Sequence, residues 1–387
     1  MRRLGPLLAL LLAVPPAAQP TAARLADRIV AVALFAGAQA VSFRPFGAFR
    51  VIDQATGEIT KLESGREYKV EADASRGRAE LIFGPHLFRG PTRLLPGQPG
   101  EYVEIGERRY SGNLLFRPNK DRTVTVVDEM GVEEYLFGVL PHEMSPDWPL
   151  EALKAQAVVS RSYALASLGG KDGGTFDLTD DDTTQLYTGL DGSTERVKQA
   201  VRDTAGQVLT WKGQPLKAFF HSTCAGHTAD ARDVWGREAP EPLKGVRDRW
   251  CRISPYSDWT ATFTAEDIRK ALARHGVMVG SVEDVSKGSV GTGGWLRTIR
   301  VRDSRGWHAV DANDFRLWLG PREMKSVKLR SIRRKWWSSS FTFTGRGYGH
   351  GVGLCQWGAR AQAQAGFGYK DILSHYFPGA KLETFTE

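Results

Sequence analysis

The amino-acid sequence predicts an α+β fold, a β-rich lobe followed by helices that line a groove. Three observations carry this. From about Asp27 to Thr125, short apolar or alternating runs are punctuated by Gly and Pro, as strands joined by turns are. From Leu150 onward, apolar residues recur at helical spacing. Beyond that point strands and helices mix without regular β-α-β alternation. The chain has 387 residues, of which 41% are hydrophobic and 25% charged, which fits a globular protein and excludes a disordered or fibrous one. That length suits two or three units and a core that needs no disulfide staples, and three cysteines are too few for a disulfide scaffold.

The first element, residues 1–23, reads as a signal peptide. Arg2 and Arg3 open it, residues 4–14 are apolar apart from Gly5 and Pro6, and small residues and prolines follow to Ala23. The apolar run is too short to span a membrane, so no transmembrane helix is expected in the mature chain. The expected location is outside the cytoplasm, periplasmic or associated with the cell wall. The whole chain carries 52 Lys+Arg against 44 Asp+Glu, a net charge of +8. That basicity suits an anionic surface such as a cell wall, whereas its dispersal and the export segment argue against nucleic acid.

Residues 24–125 form the expected β-rich region, with strands over 29–35, 49–53, 67–72 and 79–83 and turns at 53–57 and 95–98. Residues 126–387 form the second region. A buried helix is expected from Pro149, with Leu150, Leu153, Ala157, Val158, Ala164 and Leu165 on its apolar positions and Gly169 ending it. This leaves Glu143 in a preceding loop. A helix follows over 194–205 with Ser193 as cap, then a hairpin of 207–211 with 215–221. Thr264 caps a helix over 265–274, a turn at 303–306 joins two strands, and helices over 355–365 and 370–376 close the chain.

Three clusters bear chemistry. His142-Glu143 is not a zinc-protease motif, because the second His it needs one turn on is Pro146. Glu143 by itself is a candidate general acid, since a carboxyl among apolar neighbours is held protonated more readily. The run HSTCAGH at 221–227, with Cys251 beyond it, offers His221, Cys224, His227 and Cys251 as tetrahedral zinc ligands. A Cys224–Cys251 disulfide or free thiols are the competing readings. Four protein ligands would leave no open position, so such a zinc is structural. The run GRGYGHGVG at 345–353 has neither dinucleotide-loop nor Walker spacing, and it suggests close backbone packing or a groove lining. His350, Gln356 and Trp357 add a base, an amide and a face on which a sugar ring can stack.

These motifs together resemble the SpoIID/LytB family of bacterial cell-wall proteins. The resemblance rests on EEYLFGVLPHEMSPDWPLEALKAQA at 133–157 with RSY at 161–163, QLYTG at 185–189, FHST at 220–223 with VWG at 234–236, and GYGHGVGLCQWGAR at 347–360. It implies a lytic transglycosylase that cleaves peptidoglycan glycan strands, preferably stripped of stem peptides, with Glu143 as the catalytic acid. It also implies a zinc-binding region, consistent with metal at the His221/Cys224 cluster. LytB-like members imply instead a non-catalytic enhancer of a cell-wall amidase. A single acid suffices for the first activity, because the muramic C6 hydroxyl attacks its own C1 and no water nucleophile is needed. On this reading Gln185, Tyr187, His350 and Gln356 hydrogen-bond the glycan. Arg161 or Lys154 holds carboxylate or acetamido oxygens, and Tyr163 belongs either to the groove or to the core.

Overall fold

Strand Ile29–Ala38 shows why the first lobe is layered. Val30, Val32 and Leu34 point into the main core, while Ala31 and Ala33 on the other face join Leu115, Val127 and Phe176 in a smaller one. A strand buried on both faces belongs inside a sheet. It lies second in a seven-stranded sheet whose order is Leu178–Thr179, Ile29–Ala38, Val124–Gly131, Asn113–Pro118, Thr92–Leu95, Arg50–Asp53 and Ile59–Lys61. A six-stranded sheet packs against this one, in the order Arg108–Tyr110, Tyr102–Ile105, Ala40–Phe46, Tyr68–Asp73, Glu80–Phe83 and His86–Phe88. Phe116 of the first sheet meets Phe43 and Phe83 of the second at 5.4 and 5.0 Å between ring centres. Burying each such ring contributes about 1.5–3 kcal/mol. The computed structural model describes residues 29–74, 79–111, 113–170, 174–180, 184–236, 238–335 and 338–384. The segment expected to be a signal peptide lies outside the described residues.

Strand Val124–Gly131 crosses position 125 and passes directly into helix α1 (Val132–Glu143), so the last strand of the lobe delivers the first helix. Helix α2 (Leu150–Leu165) is the hub of the second region. Its run of Ala, Val and Ser is buried almost throughout, and it packs on α1, on α3 (Glu195–Asp203) and on the two C-terminal helices. Pro149 is its N-cap, and Thr194, not Ser193, caps α3 by accepting the Val197 N–H. Helix α4 (Ala231–Trp235) is short; α5 (Ala265–Arg274) has the expected Thr264 cap, completed by Asp267 into a capping box. Helix α6 (Ala312–Leu319), capped by Asp311, was not expected from the sequence. Helices α7 (Gln356–Gln364) and α8 (Tyr369–Tyr376) match expectation to within a residue.

The expected hairpin of 207–211 with 215–221 forms only in part. Gln207–Trp211 pairs with Gln214–Pro215 and, on its other edge, with Lys381–Thr384. Phe220–His221 instead pairs in parallel with Leu354–Cys355, which carries the glycine-rich tail segment to the HSTCAGH run. The 303–306 turn does join two paired strands, Thr298–Asp303 and Gly306–Asp311.

Candidate functional site

Glu143 is the last residue of α1, not a loop residue. The helix continues through Gly138 and Pro141, two residues that read as breakers in the sequence. Glu143 is partly exposed, and its Oε1 accepts the Leu186 N–H at 3.2 Å. Leu186 belongs to a strap, residues 184–189, laid across α1. Tyr135 OH donates to Gln185 Oε1 at 3.0 Å, Thr188 N–H donates to Gly138 O at 3.3 Å, and His142 Nε2 meets Thr188 Oγ1. Gly138 permits this crossing: a Cβ there would lie 2.4 Å from Gly189 O and 2.6 Å from the Tyr187 ring.

The tail segment supplies the third side. Gln356, the first residue of α7, donates from Nε2 to the Glu143 carbonyl at 2.9 Å. That carbonyl is one of those a helix leaves without an internal partner at its C-terminus. Next to Gln356, Trp357 packs edge-on to Trp148 at 5.0 Å, and the Arg360 guanidinium lies 4.8 Å from the Trp357 ring centre and 5.1 Å from that of Trp148. All three are partly exposed, so an aromatic and cationic surface flanks the Glu143 end of α1. Trp148 and Arg360 were not singled out in the sequence; their only signal was inclusion in the same motifs as Glu143 and Gln356.

The buried members of this site are framework. Tyr187 OH donates to Asp128 at 2.8 Å, and burial pushes the Asp128 carboxyl up to about 7 despite that hydrogen bond. Burial raises the Tyr135 and Tyr187 phenols well above their usual range, with the charge of Glu143 adding to the effect at Tyr135. Gln185 and Tyr187, expected to bind glycan, are only 1% and 3% exposed; Gln185 holds the strap onto α1, and Tyr187 ties it to Asp128 of strand Val124–Gly131.

Arg161 is a correction. It is 0% exposed and cannot touch a ligand: its guanidinium forks onto both Glu133 oxygens at 2.9 and 2.6 Å and donates to Gln207 O at 3.1 Å. Lys154 is likewise occupied, paired with Glu151 and Asp203 at 3.0 Å each. Tyr163 is a core residue, buried edge-on to Phe219 at 5.7 Å. His350 sits among Phe219, Trp235 and His221, where burial holds it neutral, well below its usual pKa, and its Nδ1 accepts the Val352 N–H at 3.1 Å.

The four residues expected to bind metal divide. Cys224 and Cys251 lie together, their Sγ atoms 3.5 Å apart and unbonded. They are joined by Cys355 and Asp248, so that one donor atom from each residue lies within 4.8 Å of the others, and all four residues are buried. His221 and His227 stand outside this cluster. His221 Nδ1 is 3.1 Å from Val352 O, and His227 Nδ1 is 2.7 Å from Thr228 O. Burial raises the Cys224 and Cys355 thiols, while hydrogen bonds from those two thiols push Cys251 down. Two surface hollows, of about 500 and 390 Å³, lie along α5, and neither is lined by Glu143 or its contacts.

The SpoIID family profile, described as stage II sporulation protein, matches residues 120–211, which span α1, α2, the strap and α3. The stage II sporulation protein D of Bacillus subtilis is 30% identical over 281 residues, covering 66% of this chain and 75% of its own. An uncharacterized protein of Brachyspira hyodysenteriae is 35% identical over 281 residues, covering 70% of this chain and 72% of its own. The amidase enhancer of B. subtilis is 28% identical over 296 residues, covering 65% of this chain but 40% of its own.

Proposed function

The chain belongs to the SpoIID family, whose relatives tie it to the cell wall, and we propose that it is a peptidoglycan lytic transglycosylase in which Glu143 is the single general acid and base. The observation that carries the reading is the setting of that carboxyl group. It ends a helix, accepts a backbone N–H from Leu186, and has its own carbonyl held by Gln356, beside the partly exposed faces of Trp148 and Trp357. The neighbouring acids are otherwise employed or exposed: Glu151 accepts the Tyr369 N–H at 2.8 Å and pairs with Lys154, and Asp147 lies in solvent.

The chemistry balances with one carboxyl. Glu143 gives its proton to the glycosidic oxygen as the C1–O bond breaks, leaving an oxocarbenium-like sugar and a hydroxyl on the departing strand. The C6 oxygen of the same sugar then closes on C1, and its proton passes to the Glu143 carboxylate, which restores the acid. The product is a 1,6-anhydro end. Because the nucleophile is tethered to its electrophile, proximity supplies much of the rate without a second carboxylate. The substrate is glycan stripped of stem peptides, and the location is exported, periplasmic or at the wall. Among the described residues no helix is long and apolar enough to cross a membrane.

The test is digestion of denuded glycan strands by the purified protein, with products read by mass spectrometry. Anhydro-ended fragments are expected, and Glu143→Gln should reduce them by about 10²–10⁴-fold. Hydrolysed, non-anhydro ends or an undiminished variant would overturn the reading. The amidase enhancer among the relatives favours a second reading, a non-catalytic partner of a cell-wall amidase. That reading predicts strand binding without cleavage, and amidase stimulation that survives Glu143→Gln.

A further inference from the structure

We infer that Cys224, Cys251, Cys355 and Asp248 form a closed zinc site that ties the tail segment to the 221–251 region and thereby places Gln356 against Glu143. The donor set differs from the histidine-containing one expected from the sequence, and it lies outside the part of the chain that the family profile matches. The inference does not depend on the chemistry assigned to Glu143.

Geometry comes first. Four donor atoms, three sulfurs and a carboxylate oxygen, share one buried point. Around a tetrahedral zinc with sulfur ligands at about 2.3 Å, two sulfurs stand about 3.8 Å apart; a sulfur and an oxygen stand about 3.5 Å apart. Cys224 and Cys251 are separated by 3.5 Å, and Cys224 Sγ lies 3.1 Å from Asp248 Oδ2. A disulfide would bring two sulfurs to about 2.05 Å and leave the third sulfur and the carboxylate beside it without a function.

Charge argues in the same direction. Asp248 is 0% exposed, and none of the ion pairs among the described residues includes it. A fully buried carboxylate next to three thiols is costly unless a cation neutralises them. Thiolates select zinc over magnesium or calcium, and four protein donors leave no position for substrate, so the ion's role is to hold structure. The surroundings are those of ligands held in place. Asp248 Oδ2 accepts from Tyr376 OH at 2.9 Å and Oδ1 from the Trp250 N–H at 2.7 Å; Cys355 Sγ accepts the Cys224 N–H at 3.3 Å. Lys328 binds the carbonyls of Cys224 and Ala225 at 3.1 and 3.0 Å, bringing positive charge beside the surplus of thiolates. Gly358 seals the outer side: a Cβ there would lie 1.9 Å from Tyr376 OH and 2.4 Å from Asp248 Oδ2.

The link to Glu143 is covalent on one side. Cys355 immediately precedes Gln356, so a metal that fixes Cys355 fixes the start of α7, and the Gln356 side chain then reaches the Glu143 carbonyl.

The experiment measures metal in the mature chain purified without chelator or reductant. Elemental analysis should find about one zinc per chain, and cobalt substitution should give thiolate-to-metal charge-transfer absorption with the strong visible bands of tetrahedral cobalt. Cys355→Ser and Asp248→Asn should lose the metal, and His227→Gln should keep it. Chelation of the unmutated protein should lower its melting temperature, and zinc should restore it, a readout that survives misfolding of any variant. Glu143→Gln should retain full zinc, which separates failure here from failure of the transglycosylase reading. The inference is overturned by a metal-free protein whose melting temperature ignores chelator and zinc, by an intact mass two hydrogens light, or by zinc that is lost with His227 and kept without Cys355.

Discussion

Arg161 lies in a helix of the family-matched region, where a cation invites assignment to an anionic substrate, yet its surroundings predict a purely structural effect on mutation. The perturbation is Arg161→Met, which keeps the stem and removes the guanidinium. Lost are the fork onto Glu133 and the bonds to Gln207 O and Val201 O, the last at 3.4 Å. Breaking a buried pair by removing one partner costs about 3–5 kcal/mol. The Glu133 side chain is 33% exposed and still solvated by water, which moves the cost to the low end, about 3 kcal/mol. For a chain of this size that lowers the melting temperature by roughly 4 °C. Arg161→Lys keeps a charge but cannot span the same acceptors, so it should fall between the two. The assay pairs a thermal melt with glycan cleavage measured well below the transition. The expected result is a lowered melt with kcat and KM unchanged. An unchanged melting temperature with KM raised tenfold or more would return Arg161 to the substrate and refute the structural account.

Three further outcomes follow from the same framework. Gly138→Ala drives a methyl into Gly189 O and the Tyr187 ring, so it should cost about 1–3 kcal/mol in a melt and also lower cleavage by displacing the strap and its Leu186 N–H. Gln356→Ala leaves the Glu143 carbonyl without its donor; a loss of about 1–2 kcal/mol is expected together with a fall in kcat rather than a rise in KM, and full activity would show that the contact does not position Glu143. Asp128 gives a pH signature. Its carboxyl titrates near 7 when folded, against an ordinary 3.8, so the folded state alone retains that proton between those values. Stability from this group is therefore complete below about pH 4 and declines as pH rises through 7, by about 4 kcal/mol in all. Wild-type stability relative to Asp128→Asn should therefore fall by that amount as pH rises over that range, and parallel curves would count against it.

Much of the architecture was readable because local chemistry and tertiary packing agree. The Thr264 cap, the 303–306 turn and the paired C-terminal helices rest on residues whose preferences the fold obeys. Helix α1 was hidden because two residues contradict helical propensity for reasons outside the helix. Gly138 is small to admit the strap, and Pro141 sits near the end, where loss of one N–H is offset by packing. Arg161 was legible and was misread: it stands four residues after Ala157 and four before Leu165, on the apolar stripe of α2, where a cation must find an internal partner. Cys355 gave no spacing signal, because it reaches the cluster through long-range contacts such as the parallel pairing of Phe220–His221 with Leu354–Cys355, and Asp248 carries no signal that marks a carboxylate as a ligand. A short motif scan finds ligands that are close in sequence, and Cys355 lies in a separate, distant segment.

The misplaced assignments share a cause that bears on how the site works. Gln185, Tyr187 and Gln356 were read as groups that touch glycan, yet two of them are sealed against α1 and the third is spent on the Glu143 backbone. On the proposed reading, a carboxyl that first gives and then takes a proton gains most from a fixed position. Here that position is set by three segments distant in sequence: the strap through Leu186, the tail through Gln356, and the lobe, whose strand Val124–Gly131 runs into α1 and carries the Asp128 that anchors Tyr187. Substituting Gln185, Tyr187 or Gln356 is therefore expected to cost stability, because each change removes a hydrogen bond to Tyr135, Asp128 or the Glu143 carbonyl. On the proposed transglycosylase reading, contact with the glycan would fall to the partly exposed faces beside the helix end, Trp148, Trp357 and Arg360, where stacking requires no fixed hydrogen-bond geometry.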